Sequence, residues 1–245
     1  MPGFDLCTRR RVRLKKYWMT GRRRFLDAGS GNGWFAYLAY RSGAVVTAVN
    51  FSDDQVKKSR SFYNERLGIR EDFLKYECCN LYELAKRHAE EQFTEIICYE
   101  TMEHIRDDSG VCQQFHGLLA PGGVLHLCCP YARHPRWQAE VLDREERGGH
   151  VRAGYTVEAY RALLEPIGFT ITHVEGVGGT WLTRAESLLS CMRAKFGDLL
   201  SLPLALLFFP IVWVDKPNLE CPYSLYIRAI KQSQPAVAAL KHNLK

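Results

Sequence analysis

Residues 25–33 read Phe25-Leu26-Asp27-Ala28-Gly29-Ser30-Gly31-Asn32-Gly33, and this stretch decides the fold. The apolar run Phe25–Ala28 predicts a buried strand, and the glycines after it allow a tight turn into a helix that begins near Trp34. The glycines follow a G-x-G-x-G spacing, and Trp34 stands where a dinucleotide-binding G-x-G-x-x-G loop has its third glycine. The spacing therefore disfavours a cradle for pyrophosphate.

An acidic residue, Asp27, comes directly before the glycine turn. A carboxylate would repel a phosphate, but it can accept hydrogen bonds from an ammonium group and lie near another cationic centre. We therefore expect a ligand that carries positive charge. The alternative is a plain glycine turn with a structural aspartate.

Short apolar runs alternate with helical patterns along the chain, which predicts a doubly wound α/β domain with a mostly parallel sheet. Ser52 and Gln55 are typical of a capping box before a helix that stops at Gly68, and Thr156 is expected to cap a later helix. The predicted strands are Phe25–Ala28, Val45–Val49, Ile96–Tyr99, Val124–Cys129, Phe169–Val174 and, last, Tyr223–Ile230.

The length and composition fit one large domain with an elaborated end: the chain has 245 residues, 47% of them hydrophobic and 24% charged. We expect a basic arm over residues 1–23, a main domain over 24–232 with an apolar helical insertion at 180–220, and a tail over 233–245. Residues 1–24 hold nine Arg and Lys residues against the single acid Asp5. The arm could meet phosphate or an anionic membrane, or form a solvated amphipathic lead-in helix that flanks the ligand pocket.

The cysteines give no sign of a disulfide frame or a zinc site. There are nine, including the adjacent pairs Cys78–Cys79 and Cys128–Cys129, and none has C-x-x-C spacing. No apolar stretch of a secretory signal follows the basic start. We expect buried, reduced cysteines in a cytoplasmic protein.

The segment Leu199–Val214 is apolar except for Ser201 and two prolines. As a helix it would reach about 24 Å, which is less than the roughly 30 Å hydrocarbon core of a bilayer. It is expected to pack on the domain. Two alternatives remain: the segment inserts at a membrane interface, or it forms an apolar lid over a substrate. In the first case the segment and the basic N-terminus would together hold the protein at the membrane surface.

The stretch FLDAGSGNG resembles the first motif of class I S-adenosylmethionine-dependent methyltransferases, and the likeness runs from about residue 24 to residue 176. It continues in FTEIICYETMEHI and in the Pro121-Gly122-Gly123 turn. The resemblance implies a Rossmann-like, seven-stranded sheet with S-adenosylmethionine as cofactor. The residues that it assigns to cofactor binding are Asp27, Gly29, Ser30, Gly31, Gly33, Asn50, Phe51, Asn80, Leu81 and Glu100.

Two positions depart from that family's pattern. Asn50 stands where the family has an acidic residue for the ribose hydroxyls, and Asn80 stands where it has an aspartate for the adenine amino group. An amide can donate and accept hydrogen bonds but carries no charge. We expect weaker cofactor binding, or support from other residues.

The segment Glu100-Thr101-Met102-Glu103-His104 carries the candidate chemistry, since its spacing can bring Glu100, Glu103 and His104 to one side of a helical turn. It resembles the E-x-x-E-H motif of ubiquinone-pathway and small-RNA 2′-O-methyltransferases, in which these residues and a later His hold a divalent cation. The resemblance implies a Mg²⁺ site at Glu100, Glu103, His104 and His150. Without metal, His104, His150 or His134 could act as the general base, and Glu100 is a further candidate catalytic residue.

These features together predict O-methylation of a small-molecule or lipid-like acceptor. The alternatives are N- or C-methylation of a natural-product intermediate, 2′-O-methylation of RNA, and a non-catalytic cofactor binder. Nucleic acid is disfavoured as a partner because the positive charge is confined to one end of the chain.

Overall fold

A seven-stranded sheet lies at the centre of the structure, a computed structural model that describes residues 5–143, 145–146, 148–217 and 220–232. The strand order is β3-β2-β1-β4-β5-β7-β6, and β7 alone runs antiparallel to its neighbours. The predicted tail, 233–245, lies outside the described residues. The strands are β1 Arg24–Ala28, β2 Val45–Asn50, β3 Leu74–Cys78, β4 Phe93–Tyr99, β5 Leu119–Pro130, β6 Phe169–Val177 and β7 Ser224–Lys231.

The helices cover both faces of the sheet, as predicted for a doubly wound domain. The longest is broken at Gly197, which has φ 79° inside an otherwise helical segment. The helices are α1 Leu6–Arg11, α2 Trp34–Arg41, α3 Asp53–Ser59, α4 Leu84–Arg87, α5 Asp108–Leu118, α6 Pro135–Gln138, α7 Val157–Leu164, α8 Thr180–Phe208 and α9 Ile211–Val214. Short 3-10 helices cover Val12–Tyr17, Leu81–Glu83, Met102–His104 and Glu165–Ile167, and a π-helix covers Arg60–Arg66.

All six predicted strands are present, and the structure adds β3. Its residues, Leu74–Cys78, include the charged Lys75 and Glu77, so no apolar run marks the strand. Thr156 caps α7 as predicted, by accepting from the Ala159 amide.

The capping box at Ser52 is only half formed. Ser52 Oγ accepts from the Gln55 amide at 3.4 Å, whereas the Ser52 amide donates to Asn50 Oδ1 at 2.9 Å rather than to the Gln55 side chain. Asn50, at the end of β2, thus accepts the hydrogen bond that the glutamine of a capping box would accept.

The basic arm is part of the packed domain and not a solvated extension. Arg10, Arg11 and Arg23 are buried, and Leu14 and Trp18 join the core cluster that includes β1 and β2. The guanidinium of Arg23 pairs with Glu95 at 2.6 Å deep in the sheet. The inward side of the arm is therefore packed on the domain, as the expected amphipathic helix requires.

A third core cluster joins α1 to the helices before β7. Leu6 and Cys7 pack there with Leu182, Ala205 and Val212. This cluster lies beside the end of the sheet where β4 and β5 finish, since Trp137 and Tyr223 also belong to it. Within the described residues, no helix is both long and apolar enough to cross a membrane.

The described cysteines are all free thiols. Six are buried as expected, but Cys78 and Cys191 are exposed. Cys78 is the last residue of β3, which is an edge strand.

Candidate active site

The glycine loop follows β1, the strand at which the strand order of the sheet reverses. Strand β1 pairs with β2 on one side and with β4 on the other. The chain therefore adds β2 and β3 on one side of β1 and the later strands on its other side. In open α/β sheets the crevice outside the carboxyl ends of such strands is the usual ligand site. We call this place, bounded by residues 29–33, Asn50 and Glu100, the cofactor crevice.

Backbone contacts fix the shape of the loop. The amides of Gly29 and Ser30 both donate to the Val49 carbonyl, at 3.0 and 2.9 Å. A β-carbon on Gly29 would overlap the Thr101 side chain, and one on Gly33 would lie 2.7 Å from the Tyr76 hydroxyl. Gly31 differs, because its φ is 51° and nothing lies within 4 Å of the position that a β-carbon would take. The loop is therefore closed toward the protein and open toward the crevice at Gly31.

Asp27 is 3% exposed at the end of β1. It accepts a hydrogen bond from the Ala36 backbone, but its Oδ2 has no partner among the described residues. Burial raises the pKa of Asp27 to about 7, and the Ala36 bond only partly opposes this. A buried carboxylate with a free oxygen suits a cationic group such as the ammonium of S-adenosylmethionine.

Asn50 and Phe51 follow β2 at the rim of the crevice. Asn50 is 7% exposed, and its Oδ1 already accepts from Ser52. Its amide nitrogen has no hydrogen bond within the described part of the chain and can donate to a ribose hydroxyl. Phe51 is 79% exposed, a large apolar ring that a flat base could cover.

Asn80 and Leu81 follow β3. The Asn80 side chain caps the short helix after it, since Oδ1 accepts from the Tyr82 amide at 3.1 Å. Leu81 is buried in the core cluster behind it. Asn80 is itself exposed, so its amide has room for a further partner on the crevice side.

The carboxylate of Glu100 is engaged by residues from outside its motif. Arg11 Nη2 lies 2.6 Å from Glu100 Oε2, and Ser224 Oγ donates to Glu100 Oε1 at 3.1 Å. The backbone of Glu100 has φ 49°, in the left-handed region that residues with a side chain rarely adopt. The expectation that Glu100 shares one site with Glu103, His104 and His150 is not met, because both of its oxygens face other partners.

The other three motif residues do come together. The ligand-type atoms of Glu103, His104 and His150 all lie within 4.8 Å of one another, and we call this group the acid–imidazole cluster. The rings of His104 and His150 are 4.7 Å apart between centroids. Glu103 is 1% exposed, and its Oε2 has no hydrogen-bond partner among the described residues. Burial, followed by the neighbouring Glu100 carboxylate, raises the pKa of Glu103 well above its ordinary value.

One hydrogen bond fixes the tautomer of His104. Its Nδ1 lies 3.0 Å from the Gly149 carbonyl oxygen, which can only accept. Nδ1 therefore carries the proton in the neutral ring, and the lone pair is on Nε2. This nitrogen lies 3.9 Å from Glu103 Oε1, on the side of the cluster. His104 is thus prepared to take a proton or to bind a cation through Nε2.

The donor set of the cluster bears on the predicted Mg²⁺. An orphaned buried carboxylate oxygen and two imidazoles fit a divalent cation, but Mg²⁺ prefers ligands that are all oxygen. Without Glu100, one carboxylate and two nitrogens remain, a set that suits Zn²⁺ or Co²⁺ better. The residues fit a transition metal, and they do not favour Mg²⁺.

Arg11 and Ser224 were not among the residues expected at the site. The sequence held a signal for Arg11, because Cys7, Arg11, Leu14 and Trp18 recur at helical spacing and predict one inward face. Ser224 carried no such signal, since the start of a strand does not reveal which side chain lies next to it.

The sequence of this chain matches a family described as "Methyltransferase domain" over residues 5–174, which is more than half of its length. The chain belongs to the methyltransferase domain family. Membership implies S-adenosylmethionine as the cofactor. The expected fold and the expected S-adenosylmethionine are therefore confirmed.

Curated relatives include enzymes named "Ubiquinone biosynthesis O-methyltransferase". The one from Psychrobacter arcticus is 33% identical over 105 residues, which are 43% of this chain and 40% of the relative. The one from Xanthomonas axonopodis is 33% identical over 104 residues, which are 42% of this chain and 41% of the relative. The chain thus matches about two fifths of the length of these relatives.

Solved structures share the fold at low sequence identity. A putative methyltransferase from Bacillus halodurans has a TM-score of 0.62 at 17% identity and covers 91% of this chain and 98% of its own. Phosphoethanolamine N-methyltransferase 2 from Haemonchus contortus, in complex with S-adenosyl-L-methionine, has a TM-score of 0.61 at 18% identity and covers 92% of this chain and 52% of its own. The [4+2]-cyclase SpnF has a TM-score of 0.59 at 19% identity and covers 94% of this chain and 80% of its own.

Proposed function

We propose that this protein transfers a methyl group from S-adenosylmethionine to a hydroxyl of a small-molecule or lipid-like acceptor. The observation that carries the proposal is the state of His104, whose Nδ1 donates to Gly149 while Nε2 keeps its lone pair. A phenol has a pKa of about 10, so its oxygen needs a base to become a good nucleophile at neutral pH. An imidazole held in this tautomer provides that base.

Each group of residues has one task in this proposal. The bound cofactor would supply the methyl group on its sulfonium. Asp27 and the loop at Gly31 hold its charged end, and Asn50 donates to the ribose. His104 Nε2 takes the proton from the acceptor hydroxyl as the oxygen attacks, and the remaining work is alignment of the two reacting atoms.

Aromatic side chains beside the cluster support an aromatic acceptor. The Trp137 ring lies 5.5 Å from His150 and 4.8 Å from Tyr223, measured between centroids. Trp137 Nε1 donates to the Tyr223 carbonyl, which fixes the plane of the indole. Trp137 and Tyr223 are each only 8% exposed, so a flat acceptor would contact the accessible edges of these rings with its hydroxyl toward His104.

A cation is the alternative to the base. Glu103, His104 and His150 would hold it, and it would stabilise the oxyanion of the acceptor in place of proton transfer to His104. The two versions use the same residues and the same reaction, and chelation separates them.

The structure gives less support to RNA as an acceptor. Three of the nine cations of the arm, Arg10, Arg11 and Arg23, are turned inward and buried, so they cannot contact phosphates. N- or C-methylation needs less help from a base, and no residue of the cluster favours it specifically.

The test is transfer of labelled methyl from S-adenosylmethionine to a panel of catechols, prenylated phenols, primary amines and a short RNA. We expect label on a phenolic oxygen, with calorimetry showing that the donor binds. Label in amines or RNA alone would refute O-methylation, and bound donor with no transfer to any phenol would favour a non-catalytic binder.

A further inference from the structure

The outer face of residues 200–214 has no polar side chain. In this part of α8 and in α9, the exposed positions recur at helical spacing, and each of them is apolar. The exposed fractions include 69% for Leu200, 59% for Leu206, 70% for Leu207 and 66% for Trp213. The exposed residues are Leu200, Pro203, Leu206, Leu207, Pro210, Trp213 and Val214. We call this set the apolar face.

The opposite side of the same segment is already packed. Ser201, Ala205 and Val212 are buried there, and Arg10 Nη1 donates to the Val212 carbonyl at 3.2 Å. A helix on the surface of a protein in water normally has charged and polar residues outward, and one that is apolar all round is covered on both sides. Contact with an apolar partner outside the domain would therefore remove the apolar face from water.

The exposed charged side chains described within 180–217 are basic, and the next described acid along the chain, Glu220, is exposed just beyond them. Arg184, Lys195 and Lys216 are exposed in or beside the same helices. The acids Glu186 and Asp215 are turned inward: Glu186 accepts from the Leu6 amide, and Asp215 accepts from the Gly179 amide at 2.5 Å. The side chain of Asp198 lies outside the described part of the chain. Among the described side chains of 180–217, exposed charge is therefore positive only.

We propose that the apolar face docks this protein on the surface of an anionic bilayer. Apolar residues bordered by Lys and Arg, with an exposed Trp among them, are what an interfacial helix needs to insert its side chains between lipid headgroups. Fifteen residues of helix reach about 22 Å, too short to span the hydrocarbon core, so the segment lies in the interface. The positive border matches the negative surface potential of anionic lipids.

Docking here would also bring the catalytic end of the sheet to the membrane. The helices α1, α8 and α9 pack together beside Trp137 and Tyr223, near the ends of β5 and β7. An acceptor dissolved in the bilayer would then reach the row of rings without crossing water. This consequence rests on the proposed function, whereas the docking itself does not.

Vesicle flotation of the full chain, with no cofactor or acceptor present, tests the docking. The probes are phosphatidylcholine vesicles and phosphatidylcholine–phosphatidylglycerol vesicles at a ratio of about 7:3. We expect the protein to float with the anionic vesicles, less at high salt, and Leu206→Glu with Leu207→Glu to weaken binding about a hundredfold. Leu67→Glu, an exposed leucine before β3, is the matched control and is expected to bind normally.

Circular dichroism and light scattering accompany each variant. Absence of flotation with anionic vesicles overturns the proposal, as does flotation that the double variant leaves unchanged while its fold is intact. A monodisperse dimer that becomes a monomer in the double variant, without vesicle binding, would assign the apolar face to a second copy of the chain. Methyl transfer measured in detergent-free buffer is independent of these results, so failure of docking leaves the proposed function standing.

Discussion

Arg11 Nη2 lies 2.6 Å from Glu100 Oε2, and this ion pair joins the basic arm to the end of β4. The Arg11 side chain is 8% exposed and the Glu100 side chain 26%. Burial alone would lower the pKa of Arg11, but the acidic groups around it, Glu100 foremost, together outweigh burial, and the pKa is raised overall. The arm is therefore held by an interaction at the rim of the cofactor crevice itself.

Replacing Arg11 by Met should destabilise the protein by about 3 kcal/mol, because Glu100 would keep its charge in a partly buried place without its partner. The double variant Arg11→Met with Glu100→Gln should recover much of that loss, since it removes both charges together. Urea unfolding followed by fluorescence measures the free energy of unfolding of each variant. A double variant as unstable as Arg11→Met would show that packing, and not the ion pair, is what Arg11 provides.

The fold was predictable from the sequence because its determinants are local. Apolar runs marked six strands, and the glycine turn after β1 marked the connection from that strand to the first helix of the sheet's α/β alternation. Strand β3 has no apolar run, since an edge strand with Lys75 and Glu77 on it looks like a loop. The resemblance to a known family, and not the residue pattern, implied the seventh strand.

The site was only partly predictable, because its remaining contacts join distant parts of the chain. Spacing brought Glu103 and His104 together, and the distant His150 does join them. The same spacing also included Glu100, but spacing cannot reveal that Arg11 and Ser224 contact its oxygens. The outward side of 200–214 was likewise hidden, since an apolar run does not say which of its residues the domain covers.

Replacing Gly29 by alanine and replacing Gly31 by alanine should have different effects on stability and on cofactor binding. Gly31→Ala should fold with a loss of about 1 kcal/mol for its positive φ and should weaken binding of S-adenosylmethionine, because the new methyl group points into the open crevice. Gly29→Ala should lose much more stability, because its β-carbon would overlap Thr101. Thermal unfolding with and without the cofactor distinguishes the two. Normal cofactor affinity in Gly31→Ala would show that the loop does not hold the ligand.

The pKa of Asp27, about 7, predicts a pH dependence in the protein without cofactor. The folded state holds the Asp27 proton up to about pH 7, whereas an unfolded chain releases it near pH 4. The free energy of unfolding should therefore fall as pH rises from about 4 to 7 and stay level above that. Tyr63 and Tyr76 are ionisable neighbours, and burial raises the pKa of both, so they stay neutral throughout.

Asp27→Asn should remove that slope, and cofactor binding gives a second measurement. Because the ammonium of S-adenosylmethionine is bound best by the ionised carboxylate, its binding should release a proton near pH 6. Calorimetry in two buffers of different ionisation enthalpy counts that proton. No proton release, together with a pH slope that Asp27→Asn leaves unchanged, would mean that Asp27 is already charged in the free protein.

The acid–imidazole cluster should prefer a transition metal. We expect Co²⁺ or Zn²⁺ to raise the melting temperature and Mg²⁺ to have little effect, because two of the three donors are nitrogens. Co²⁺ should also give a visible absorption band that Glu103→Gln and His150→Ala weaken. Glu100→Gln is the matched control, since Glu100 faces Arg11 and should not alter the band. A larger effect of Mg²⁺, or a band lost in Glu100→Gln, would restore the four-residue site.

The variant His104→Asn removes the proposed base, Nε2, and keeps a donor for the Gly149 carbonyl. Asparagine can still donate to the Gly149 carbonyl in place of Nδ1, but it has no atom where Nε2 stood. We expect kcat for the best phenol of the acceptor panel to fall about 10²- to 10⁴-fold, with unchanged affinity for S-adenosylmethionine. His134→Asn is the control, because His134 caps α6 through Nδ1 and asparagine caps a helix equally well. If chelators leave wild-type turnover intact while His104→Asn loses it, His104 acts as the base. Wild-type kcat in His104→Asn would instead remove this imidazole from the reaction.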